Sequence, residues 1–435
     1  MSCNWPLVTL SEVTSRIGDG LHGTPKYDDN GDYYFINGNN LSNGKIIINE
    51  KTKRTDESQY LKHKKDLNDR TLLVSINGTL GNIGTYQGEK VFLGKSACYL
   101  NVLPNVNKDY VMYVLTSKHF QDYIHNLATG STIKNVGLKL IREYEFQLPD
   151  IKTQNSIANV LVSIDSKITV NQQTNQTLEE MAQAIFKSWF VDFEPVKAKM
   201  NGEQPEGMDA ATASLFPEKL VESDLGLIPE GWEVMGLPSG TLFREGPGIL
   251  AKDFHEKGVP LIRLAGLKNG VSLLDGCNYL DPEKVDKKWK HFLLQEGDIL
   301  LSSSASLGRV AEVTKQSENS IAYTGIIGFR PIEGVTTRKY LKYFIQSQNF
   351  QRQIEAFGVG SVLKHFGPTH LKKMWILLPP ISIQDKFEQL VLALDEKIQA
   401  GLEQNQSLSS LRDTLLPKLL SGEIELDVAE VNTND

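Results

Sequence analysis

The sequence predicts an α+β protein: two globular mixed α/β domains separated by two long antiparallel, coiled-coil-like helices, with an internal pseudo-two-fold repeat. Three observations predict it. The 435-residue chain repeats itself. Each copy is followed by a long polar segment whose apolar residues recur every 3.5 residues, the coiled-coil period. A short acidic stretch then separates the halves. A repeat of this length governs the whole fold and is therefore read first.

The clearest copy is an ending. Residues 128–149, "ATGSTIKNVGLKLIREYEFQLP", return as 358–379, "GVGSVLKHFGPTHLKKMWILLP", at an offset of 230. Gly130, Ser131, Lys134, Gly137, Leu148 and Pro149 fall over Gly360, Ser361, Lys364, Gly367, Leu378 and Pro379. Upstream, "LLVSINGTLGNIG" (72–84) matches "ILLSSSASLGRVA" (299–311), and "DYVMYVLTSKHFQ" (109–121) matches "KYLKYFIQSQNFQ" (339–351). Within each copy, runs such as "KIIIN" and "TLLVSI" read as short strands between Gly and Asn turns. The stretch 109–127 reads as one amphipathic helix. The organisation is a first domain over 1–150, a helical segment over 151–200, a connector over 201–230, a second domain over 231–379, a helical segment over 380–426 and an acidic tail over 427–435.

The two helical segments carry matching seams. Ile157, Leu161, Ile164, Ile168, Asn171, Asn175, Leu178, Ala182, Ile185 and Trp189 alternate at three and four residues. Phe387, Val391, Leu394, Ile398, Gly401, Asn405, Leu408, Arg412, Leu415 and Leu419 do the same. A polar seam residue such as Asn175 or Asn405 costs stability while fixing register. Gly401 predicts a kink or break, and Arg412 predicts a seam that shifts to Leu411. Some 36 helical residues extend about 54 Å. Pairing them antiparallel through the connector is expected to put the two domains at opposite ends of a rod.

The net charge of −7 is unevenly spread. The two domains are +2 (1–149) and +5 (231–379), whereas 201–230 and 380–435 sum to −6 and −7. Local patches govern binding, so the total does not exclude DNA. No apolar run reaches the roughly 20 residues of a membrane span, and "MSCNWPLVTLSEV" lacks the regions of a signal peptide. Cys3, Cys98 and Cys277 form neither a disulfide framework nor a metal-ligand pair, so a cytoplasmic setting is expected.

Catalytic motifs are near-misses. "GEKVFLGKSA" (88–97) has five residues between its glycines where a phosphate-binding loop has four. "FGVG" (357–360) resembles a methyl-donor loop, but no Asn-Pro-Pro-Tyr-type tetrad accompanies it. His365 and His370 lack a third metal ligand, and "PDIK" (149–152) becomes "PPIS" in the second copy, without its carboxylate. The chain reads as a binding protein with no catalytic and no metal site. Neither 128–142 nor 358–373 contains an acidic residue. Lys134, Lys139, Arg142, Lys364, Lys372 and Lys373 are candidates for phosphate contacts there, with Gly and Ser permitting close backbone approach. Ser131, Thr132, Asn135, Ser361, His365 and His370 are candidates for further hydrogen bonds to DNA. The loops at 75–84 and 302–309 offer a second such surface, with Arg309 a candidate guanine reader.

"MAQAIFKSWFVDFEPVKAKM" (181–200), "LFPEKLVESDLGLIPEGWEV" (215–234) and "LRDTLLPKLLSGEIEL" (411–426) closely resemble the specificity subunit of type I restriction-modification systems. The resemblance runs the length of the chain. It implies two target recognition domains, each reading half of a split double-stranded DNA target. It also implies helices that act as spacer and as docking surface for two modification (methyltransferase) subunits. Restriction (translocase/endonuclease) subunits would complete the complex, and no membrane is involved. By the same resemblance no cofactor binds this chain: S-adenosylmethionine serves the modification subunits, and ATP and Mg serve the restriction subunits. Phe186, Trp189, Phe190 and Phe193 cover more than one helix face, which leaves them, with Leu415 and Leu419, as candidates for partner contact or for cover by the second domain. Two other classes stand against this reading: a self-sufficient enzyme, which lacks its motifs here, and a DNA-independent scaffold.

Overall fold

The computed structural model describes residues 5–130, 134–268, 271–303, 307–357 and 366–426. It forms two compact units, Met1–Ile168 with Gln406–Asp435 (unit one) and Thr169–Asn405 (unit two).

Unit one is built on a four-stranded antiparallel sheet of β1 (Thr14–Asp19), β2 (Thr71–Ser75), β3 (Ile83–Thr85) and β4 (Ala97–Val102), in the order β1-β4-β2-β3. Every residue of β2 and β4 is buried, including Thr71 and Asn101, whose side chains bond each other at 2.7 Å. A second sheet sets Tyr33–Ile36 parallel to Val91–Leu93 and antiparallel to Arg54–Thr55. Leu7–Thr9 pairs with Glu145–Gln147. "KIIIN" yields only the two-residue strand Lys45–Ile46. The stretch read as one helix is two, α1 (Lys108–Thr116) and α2 (Lys118–Leu127). Ser117 leaves helical geometry, and its hydroxyl accepts the amide of Phe120 at 3.3 Å. Serine is a strong cap but a weak helix breaker, so apolar spacing passes over it.

Unit two repeats the four-stranded sheet, the three-stranded sheet and the pairing of the first and last strands, but not the small Leu41–Ser42/Lys45–Ile46 pair. Its sheet holds β5 (Thr241–Glu245), β6 (Ile299–Ser302), β7 (Val310–Glu312) and β8 (Ile326–Pro331), in the order β5-β8-β6-β7. Val259–Ile262 runs parallel to Ile321–Ala322 and antiparallel to Asn278–Leu280, and Glu233–Gly236 pairs with Trp375–Leu378. Ser347 divides α4 (Arg338–Gln346) from α5 (Gln348–Ala356) as Ser117 divides its counterparts. The repeated Leu-Gly pair also has a cause. Gly81 and Gly308 have φ of +83° and +95°, a region that disfavours side chains. A Cβ on Gly81 would lie 2.0 Å from Gln121 Oε1.

The long helices, Ile151–Phe190 (α3 below, between α2 and α4 in the chain) and Ile381–Leu420 (α6), are each 40 residues. Asp150 caps the first, accepting the hydroxyl of Thr153 at 2.8 Å and the amides of Lys152 and Thr153 at 2.9 and 3.1 Å. The Thr153 hydroxyl, with the amides, holds this carboxyl below its usual range, so "PDIK" is a helix start. Gln154 fastens the helix to its domain: it accepts the amide of Asn107 at 2.9 Å and donates to the carbonyl of Pro149 at 2.7 Å. Gln384 repeats both bonds with Thr337 and Pro379 at 3.0 and 2.9 Å.

Within each unit the two helices pair antiparallel. In unit one, Ile157 and Leu161 share a core with Leu416 and Leu419. In unit two, Ala182, Phe186 and Trp189 share one with Phe387 and Val391. Asn171 donates to Asn405 Oδ1 at 3.0 Å and Gln404 Oε1 at 2.7 Å, and Asn175 to the carbonyl of Ile398 at 3.1 Å. Two expectations are corrected. Gly401 does not break α6; a Cβ there would lie 2.5 Å from Asn175 Oδ1, so the glycine makes room for the opposing asparagine. Nor does the seam shift to Leu411, which is 47% exposed. Arg412 instead pairs with Asp165 of α3 at 2.9 Å, and Asp165 also accepts the hydroxyl of Tyr113 at 2.7 Å. The connector over 201–230 is built into unit two, with a helix at Ala210–Ser214 and a hairpin of Leu220–Ser223 with Gly226–Pro229. Its Phe216 is buried edge-on against Trp189, with centroids 5.2 Å apart.

The cores differ in polarity. In unit two, Lys339 and Lys342 of α4 are buried among Glu312, Asp395 and Glu179. Burial opposes the charge of Lys342, but Glu179 and Asp395 outweigh it and hold the ammonium above its usual range. At the matching places unit one has Asp109, Met112 and Thr85.

Candidate nucleic-acid interface

The loop between β2 and β3 turns on Gly78 and Gly81, both at positive φ. Beside it, Thr129 and Asn135 exchange backbone hydrogen bonds of 2.9 and 2.8 Å. The amide of Val136 donates to the carbonyl of Ile76 at 2.9 Å, and that of Gly78 to the carbonyl of Lys134 at 3.1 Å. The loop at 75–84 and residues 129 and 134–136, which the sequence offers as parts of separate surfaces, therefore form one edge of unit one. On the far side of the β2 end, Ile76 donates to the carbonyl of Ser96 at 3.0 Å, which brings exposed Lys95 to the same edge. Exposed Lys134 and Asn135 lie there, with Asn77 partly exposed beside them. Asn77 Nδ2 donates to Asn135 Oδ1 at 3.3 Å.

The other candidates sit differently. Lys139 is exposed and pairs with Glu143 at 3.7 Å, and Arg142 donates to the carbonyl of Ile17 at 3.0 Å, tying its short helix to β1. In unit two, the backbone of Arg309 is pinned to Ser302 by two bonds of 2.9 Å, leaving its side chain half-buried. His370 accepts the amide of Gly367 at 3.3 Å through Nδ1 and stacks on Phe366 at 5.6 Å, which makes it part of a helix start. Lys372 and Lys373 are exposed. Ser131, Thr132, Ser361, Lys364 and His365 lie outside the described residues.

Of the two places open to the aromatic candidates, the described residues show cover by the second domain. Phe186, Trp189 and Phe190 are 3, 7 and 3% exposed, in one core with Trp232, Tyr340 and Phe387. Phe193 packs edge-on to Trp232 at 5.6 Å. Leu419 is buried and Leu415 partly buried in the core of unit one. The second domain covers the aromatics, and that burial leaves Phe186, Trp189 and Phe190 little surface for a partner.

Sequence reasoning missed a set of cations over aromatic rings on the smaller sheets and the segments beside them. Arg54 lies over Tyr34 at 4.8 Å and Lys90 over Tyr33 at 5.9 Å; in unit two Arg263 lies over Tyr323 at 4.1 Å and Lys288 over Trp289 at 5.3 Å. The linear signal was "DKKWKHF" (286–292), which interleaves basic and aromatic residues; Arg54 and Tyr34 come from separate segments, "TKRT" and "DYYF". Among the described residues no three of His, Cys, Asp or Glu gather as a metal site, and no helix is long and apolar enough to cross a membrane.

Two copies of one mixed α/β domain, each continued by a long helix, define a duplicated helix-and-sheet protein. The model of the type I restriction modification DNA specificity domain matches residues 4–180 and 229–407, and the chain belongs to that family. It is 26% identical to the type I restriction enzyme HindI specificity subunit of Haemophilus influenzae, over 76% of this chain and 81% of that one. It is also 26% identical to the MjaIX specificity subunit of Methanocaldococcus jannaschii, over 76% and 72% of the two chains. In fold it is similar to the crystal structure of a type I restriction-modification S subunit from M. genitalium, with a TM-score of 0.52 at 19% identity and 96% of each chain covered.

Proposed function

We propose that this chain is the DNA-reading, non-catalytic subunit of a type I restriction-modification complex. Each domain reads one half of a bipartite, asymmetric double-stranded target. The paired helices set the spacing and dock two modification subunits, which methylate adenine with S-adenosylmethionine. Restriction subunits would add ATP- and Mg-dependent translocation and cleavage. The observation that carries the reading is the repeated topology with unlike edges. The strand order of the two main sheets recurs, whereas the loop "NGTLGN" (77–82) becomes "SASLGR" (304–309). A fixed scaffold with divergent loops suits two readers of different sequence, because base contacts specify while phosphate contacts position.

A mobility-shift series with purified chain, with and without modification subunits and across salt concentrations, tests this. A sequence-dependent shift in the presence of modification subunits is expected. A DNA-independent scaffold would give none under any condition.

A further inference from the structure

Resting on that function, we propose that Asn77 and Asn135 act as one base-reading unit that selects adenine in the half-site read by unit one. The 3.3 Å bond from Asn77 Nδ2 to Asn135 Oδ1 joins two carboxamides in series. It leaves the Asn77 oxygen as an acceptor and the Asn135 nitrogen as a donor. If both amides were reversed, the pair would still present one acceptor and one donor. In the major groove, adenine is the base that places an acceptor, N7, beside a donor, the N6 amino group. Guanine presents two acceptors, thymine one acceptor and cytosine one donor. Each of these leaves part of the amide pair unmatched.

The placement suits the task. Asn135 is held by two backbone bonds to Thr129, and the peptides on either side of it are tied to Ile76 and Gly78. The reader is thus ordered before DNA arrives, which reduces the entropy lost on binding. Lys95 and Lys134 lie on the same edge, where phosphate contacts would orient it. In the second copy these positions are Ser304 and His365, so this adenine reader belongs to unit one alone.

The test uses the complex of the full chain with its modification subunits, and reads its methylated motif by sequencing modified bases. Asn77→Ala and Asn135→Ala should each relax discrimination at one A·T pair of one half-site by roughly ten- to hundredfold. The other half-site and the spacing should stay unchanged. Asn135→Asp, which presents acceptors only, should shift that position toward cytosine, an outcome that misfolding cannot produce. An unchanged motif in all three variants overturns the assignment, as does an equal loss across all sequences. If the wild-type complex yields no bipartite motif, the proposed function fails, and this assignment with it.

Discussion

Where unit one has Met112, unit two has Lys342, buried and paired with two carboxylates, Glu179 and Asp395. Removing one member of a buried ionic group costs about 3–5 kcal/mol. Here Lys339 still pairs with Asp395 and Glu312, while Glu179 keeps, among the described residues, only the neutral donors Tyr343 and Gln346. Lys342→Met should therefore lower unfolding free energy by about that amount in urea titrations, although methionine serves the other copy. The folded pKa of Lys342 is raised, so its contribution is full below the ordinary lysine value of about 10.4. It declines as pH rises from there through the folded value. The stability gap between wild type and variant should stay constant from pH 7 to 9 and narrow only above about 10.4. On the candidate interface, Lys134→Ala should weaken binding to all sequences and lower the salt slope by about one unit. An unchanged slope would place the phosphate contacts elsewhere on the edge.

Among the elements, the long helices were the most legible, since a 3.5-residue period over ten positions has no other economical explanation. Their irregular positions were not. Gly401 and Arg412 read as defects because a single helix does not disclose what faces it; Asn175 and Asp165 supply the answers. Gly401→Ala gains helix propensity of about 1 kcal/mol but collides with Asn175, so alone it should lower the melting temperature. Combined with Asn175→Ala, the loss should be recovered, and the four-way thermal cycle should show coupling. If α3 and α6 set the half-site spacing, a heptad inserted at matched points adds about 10.5 Å of helix. The unspecified gap should then grow by about three base pairs, with some loss of affinity because the half-sites rotate relative to each other. A three-residue insertion breaks the heptad phase and should do worse. Methylation confined to the original spacing in a folded heptad variant would refute the spacer role.

For the whole molecule, the repeat made the duplicated fold legible, since matched turns and endings survive where side chains diverge. The candidate edge was half legible: charge pointed to Lys134, but only folding joins Ile76 and Gly78 to residues 134–136. Exchanging 231–379 for a homologous block should alter one half-site and spare the other, as read by modified-base sequencing. The chain alone should show no methyltransferase, ATPase or nuclease activity in a preparation free of partner subunits.

The glutamine clamps at the helix starts bear on that exchange. Gln154 and Gln384 grip main-chain groups: an amide belonging to Asn107 in one copy and Thr337 in the other, and a proline carbonyl in each. Any residue except proline offers the same amide. The joint between domain and helix is therefore sequence-blind, a standard socket that accepts whatever block carries a backbone of the right shape. Under the proposed function, recombination between related genes near these two clamps would yield hybrids with a new domain on an old coupling, so the joint need not be reinvented when the domain changes.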